Sequence, residues 1–148
     1  MVQPSPTPQP GPWAELRARF GGAPRVLYLA GPFRGDGSRQ AIHRNQVRMM
    51  ARARLVQDLL PEAVLVLPHT NFAFLDESGP GGLEVRARAL AACERLLLRC
   101  DGLVLCDTVL TEGMVREREA ALAAGLPIVQ LPELPGREAE GLLFAEAR

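Results

Sequence analysis

Four short apolar runs without polar alternation punctuate the chain: Arg25-Val26-Leu27-Tyr28-Leu29-Ala30, Ala63 to Leu67, Gly102 to Cys106, and Pro127 to Leu131. Runs of this length and character are strands buried on both faces, as in a parallel sheet. Between them the apolar spacing changes to a helical one. From Arg39 to about Leu60, residues Ile42, Met49, Ala53, Val56 and Leu60 form one stripe, and Pro61 ends it. From Leu83 to Arg99, residues Leu90, Cys93, Leu97 and Cys100 face inward, and a third helix spans Glu112 to Ala124. A short helix from Trp13 to Phe20, ended by Gly21-Gly22, and a final one from Gly136 to Ala147 complete the expected elements.

Strands alternating with helices predict a small doubly wound α/β sheet, flavodoxin-like or Rossmann-like. It has four or five parallel strands, helices on both faces and right-handed crossovers. The natural strand order is 2-1-3-4, which puts a switch point beside the first strand. In that arrangement residues 31–38, 68–76 and 107–113 all follow carboxyl ends of strands and converge on one rim. Three polar or glycine-rich segments facing one crevice are the physical basis for expecting a pocket there.

Composition narrows the function classes. The 148 residues are one domain, with 17 basic and 17 acidic side chains and no net charge. No global field therefore selects a nucleic acid polymer or an anionic membrane. All the basic residues are arginine, and Arg44, Arg48 and Arg52 recur at helical spacing, the usual form of a solvated face. Cys93, Cys100 and Cys106 sit among apolar residues without metal or redox spacing, so reduced thiols, no metal site and a cytoplasmic location are expected. Residues 1–12 alternate proline with polar residues and read as a disordered tail, leaving 13–148 as the folded domain. No apolar stretch is long enough to suggest a membrane span.

The rim segments carry the candidate chemistry. Gly31-Pro32-Phe33-Arg34-Gly35 is a turn in which the glycines allow close backbone approach and Arg34 supplies a fork suited to an oxyanion. Its spacing is neither that of a Walker loop nor that of a dinucleotide fingerprint. His69 is read as a general acid, a phosphate donor or simply a loop histidine. Asn71 and Asp76 are read as partners of sugar hydroxyls or of their own backbone. Asp107 opens the third rim segment, and Thr111 has the place of a helix N-cap. Glu117 follows Gly113 by one turn and precedes Ala121 by one, so small residues leave room above its carboxylate, while Glu119 projects to the opposite side. The nearby helix N-terminus favours an ionised Glu117, as a nucleophile requires. Most helix glutamates are nonetheless solvated.

Taken together, Tyr28-Leu29-Ala30-Gly31-Pro32-Phe33-Arg34-Gly35, Pro68-His69-Thr70-Asn71, Cys100-Asp101 and Thr111-Glu112-Gly113-Met114-Val115-Arg116-Glu117 leading to Ala121 resemble the nucleoside 2-deoxyribosyltransferase superfamily. That superfamily includes a deoxynucleoside 5′-monophosphate N-glycosidase branch. The resemblance covers about residues 25–131. It implies that Glu117 attacks the anomeric carbon of a deoxyribose, that Thr111 contacts the sugar or its phosphate, that Arg34 and the glycine turn hold the phosphate, and that Tyr28 lines the sugar site. It implies no cofactor, a nucleoside or nucleotide as ligand, and a homo-oligomer. Where the family often has an Asp on the helix before the third strand, this chain has Cys93; where deoxynucleotide-hydrolysing members often have Ser, it has Pro32. The rival expectations are a non-catalytic nucleotide-binding or sensor module using the same pocket, and a structural role in a complex.

Overall fold

The computed structural model describes residues 11–72, 74, 75, 77 and 80–134. The tail at 1–10, Asp76 and the expected C-terminal helix lie outside the described residues. Element order is α1 (Pro12–Phe20), β1 (Val26–Ala30), α2 (Arg39–Leu59), β2 (Val64–Val66), α3 (Pro68–Asn71), α4 (Gly82–Leu97), β3 (Gly102–Leu105), α5 (Glu112–Ala123) and β4 (Ile128–Gln130). The sheet has order β2-β1-β3-β4 and every pairing is parallel. The fold is thus the doubly wound arrangement expected from the pattern of apolar runs. Among the described residues it has four strands, and no helix is long and apolar enough to cross a membrane.

Period-two alternation divides the central strands between two cores. Leu27, Leu29, Val104 and Cys106 join Leu16 and Phe20 of α1 and Met49 and Val56 of α2 on one face. Tyr28, Ala30, Leu103 and Leu105 join Cys93 and Leu97 of α4 and Met114 and Ala121 of α5 on the other. Asp101 fastens the start of the sheet: its Oδ2 accepts from the Val26 N–H and its own N–H donates to the Val26 carbonyl. It lies at the end of β1 and β3 remote from the rim.

The β1–α2 turn depends on three glycines in two ways. Gly35 and Gly37 have φ of 56° and 85°, in the left-handed region that favours glycine. Gly31 has no such φ; a Cβ there would collide with the Met49 sulfur, so its bareness lets α2 close on the end of β1. Ser38 caps α2, its hydroxyl accepting from the Ala41 N–H. The segment after β2, expected only as a polar and aromatic stretch, forms the single turn α3.

Candidate functional site

The rim segments enclose a cavity of about 370 Å³ at the carboxyl ends of β1 and β3, beside the switch point. Its wall includes Gly31, Phe33, Arg34 and Gly35 from the β1–α2 turn, and His69 from α3. Thr111, Gly113 and Glu117 come from the start of α5. Thr111 is the N-cap, its hydroxyl accepting from the Met114 N–H at 3.3 Å. Gly113 is buried, and a Cβ there would lie 3.4 Å from Arg86 Nη2 and 3.6 Å from Leu90 Cδ2. These are ordinary contact distances, so Arg86 and Leu90 pack closely over this turn of α5.

Glu117 occupies the floor. The residue has intermediate exposure, but its Oε2 is shut away from solvent and has no hydrogen-bond partner among the described residues. The Tyr28 hydroxyl beneath it is likewise buried and unpartnered. The two groups are close enough for the phenol to favour the carboxylate, though no bond of full geometry joins them. Burial dominates and pushes the Glu117 carboxyl up to about 8, with Tyr28 and then Arg86 pulling the other way. This corrects the expectation of an ionised side chain: desolvation outweighs the helix N-terminus, and Glu117 is mostly protonated at pH 7. Glu119, by contrast, is exposed, as the helical period requires.

Tyr28 has no exposed surface and stands behind the cavity wall rather than on it. Burial first, then Glu117 and Cys93, push its pKa far up, so it stays a neutral phenol. Cys93, 8% exposed, completes this cluster and lines the cavity. Burial holds its thiol up at about 11.

Three other expectations change. His69 is 3% exposed, its Nε2 lies 2.8 Å from the Pro32 carbonyl oxygen, and its ring meets the edge of Phe33. A carbonyl only accepts, so Nε2 carries the proton. Burial lowers the pKa to about 4, which removes His69 as a general acid near neutrality and makes it a brace between two rim segments. Asn71 ends α3 exposed to solvent and away from the cavity wall. Asp107 also stays off the wall, because its Oδ1 is used by the Thr108 and Val109 N–H groups and its carbonyl by Gln130.

The pattern of residues alone did not reveal Glu77 and Arg86, which form an ion pair at 3.3 Å across the cavity wall. Arg86 carried a readable signal: it precedes Leu90, Cys93 and Leu97 on one helical face, so the inward stripe extended back by one turn reaches it. Glu77 carried none. Phe72, Leu83 and Leu90 add apolar wall. Among the described residues, no group of three or more His, Cys, Asp or Glu is placed to hold a metal ion.

Residues 25–131 match the family described as domain of unknown function DUF7768, and the chain belongs to that family. The matched span contains every residue of the cavity wall. No curated protein matches the chain.

Proposed function

We propose that this cavity cleaves or transfers the N-glycosidic bond of a deoxyribonucleoside or its 5′-monophosphate, as a member of the nucleoside 2-deoxyribosyltransferase superfamily that the sequence resembles. One observation carries the reading: a shielded carboxylate with an unsatisfied oxygen, on the floor of a pocket with apolar walls and arginines. Unpartnered buried polar atoms are costly, and a ligand group entering the pocket relieves that cost. The volume lies within the range of small-molecule sites, and Phe33, Phe72, Leu83 and Leu90 suit the faces of a base.

In the proposed reaction a Glu117 oxygen forms a bond to the anomeric carbon while the carbon–nitrogen bond breaks. The base leaves with the electron pair and takes a proton from solvent. Water or a second base then attacks the same carbon and gives up a proton to solvent, the ester bond breaks, and the carboxylate is restored with retention of configuration. The residues this chain supplies need neither metal nor cofactor. Only the ionised form of Glu117 attacks, and at pH 7 a group with a pKa near 8 is ionised in roughly a tenth of molecules. Turnover at subsaturating substrate therefore rises about tenfold per pH unit below 8 and levels off above it. The protein is proposed to act in the cytoplasm as a homo-oligomer.

The test is chromatography of free base released from a panel of deoxynucleosides and their monophosphates. Glu117→Gln loses release by about three orders of magnitude or more. Undiminished release by that variant sinks the reading. The same protonated Glu117, with a thiol rather than a carboxyl at Cys93, favours the second reading of a nucleotide-binding sensor. Calorimetric binding with the ligand recovered intact supports that alternative.

A further inference from the structure

Glu77 is 4% exposed, and the structure holds it in place. A Cβ at residue 82 would collide with the Glu77 carbonyl oxygen, so the bare Gly82 at the start of α4 lets the Glu77 backbone pack directly against the helix. Its Oε1 meets Arg86 Nη1 at 3.3 Å. Arg34 approaches within electrostatic reach from the other rim segment. The Arg34 guanidinium is itself seated over Gly37, where a Cβ would lie 2.6 Å from its Nη2, and its Nε is buried without a partner among the described residues. Arg86 thus pairs directly with Glu77, and Arg34, from a separate segment, lines the same cavity.

Forked guanidinium groups converging in this way suit an oxyanion with several acceptor oxygens. Here the position is already taken by the Glu77 side chain, ion-paired with Arg86 at 3.3 Å. We propose that Arg34 and Arg86 form an oxyanion seat which Glu77 occupies from within the chain, so that the pocket selects a neutral nucleoside over its 5′-monophosphate. The choice of nucleoside rests on the reading under Proposed function; the occupied seat does not. A phosphate monoester brings about one and a half to two negative charges at pH 7 and must either displace Glu77 or sit beside it. A neutral ligand meets no such repulsion.

Inorganic phosphate is the probe that separates the two parts, measured by calorimetry on the full chain. Glu77→Gln, which keeps the shape and removes the charge, binds phosphate at least about tenfold more tightly than the parent. Adding Arg34→Gln to that variant returns affinity to the parent level. Glu119→Gln removes an equal charge from the exposed side of α5, off the cavity wall, and changes affinity less than about twofold. The proposal is overturned if Glu77→Gln gains nothing, if Glu119→Gln gains as much, or if the parent binds a deoxynucleoside 5′-monophosphate more tightly than the nucleoside. A protein that shows the phosphate gain yet releases no base retires the glycosidic reaction and leaves the seat standing.

Discussion

The mouth and the floor of the cavity each bury a glutamate, and the fold treats the two oppositely. At the mouth, Glu77 has an ion-pair partner at 3.3 Å and a second arginine nearby. On the floor, Glu117 has the Tyr28 phenol close by and Arg86 only at electrostatic range, with one oxygen unpartnered. Burial pushes both carboxyls up, that of Glu117 to about 8, and Arg86 pulls against it in each case. The difference lies in the partners: Glu77 has a guanidinium at ion-pair distance, and the shielded oxygen of Glu117 has none. A paired carboxylate serves structure and selectivity. An unpaired one is left with unused bonding capacity, as expected of a group whose partner is a ligand.

The contrast can be broken most severely at the floor. Replacing Glu117 by Gln removes nearly all base release while the protein keeps its fold, which far-ultraviolet circular dichroism and chromatography check together. The next effect is on stability. Arg86→Gln strands Glu77 and lowers unfolding free energy by about 2 kcal/mol, less than for a fully buried pair because Arg86 keeps 20% of its side-chain surface. Urea unfolding at pH 7 measures it, and an unchanged midpoint would show that Glu77 needs no partner.

A subtler effect is the dependence on pH. The folded pKa of Glu117 is about 8 against an unfolded value near 4.5, so the folded state binds the extra proton between those values. Its contribution to stability is fully present below about 4.5 and is lost as pH rises to about 8, by a few kcal/mol at most. Glu117→Gln flattens that part of the stability profile. Least of all, Tyr28→Phe changes stability by less than about 1 kcal/mol, since the phenol makes no bond of full geometry. It moves the Glu117 midpoint upward, because the hydroxyl favours the ionised form. Carboxyl-region infrared difference spectra across a pH series resolve that direction.

Much of the frame was legible because its signals are local. The runs around Leu27, Leu103 and Val129 are apolar at every position, and both faces of the sheet are indeed covered. The helical period put Glu117 and Glu119 on opposite sides and the family resemblance selected Glu117, a choice with which the burial of Gly113 and Ala121 agrees. The charge state of Glu117 was not legible, because Tyr28 and Cys93 reach it from other elements and the sheet removes its water. Nor was α3, since Pro68 to Asn71 is one turn and too short to show a period. Asp107 misled because a carboxylate after a strand serves a ligand or its own backbone equally well, and here the backbone takes it. Glu77 was hidden for a further reason: its place is set by the absence of a side chain at Gly82.

The position of β1 in the sheet also governs when the site comes into being. Its Leu27 pairs with Gly102 of β3, and the neighbouring Val26–Asp101 bond spans 75 residues of chain. Everything on the cavity wall up to Leu90 and Cys93 lies inside that loop, while Glu117 lies beyond it. Closing a long loop costs entropy before its contacts compensate, and parallel pairings of this kind form slowly. Arg34, which follows β1, and Glu117, which follows β3, are brought to one cavity by that pairing, so ligand binding is expected to appear only once β1 and β3 have paired.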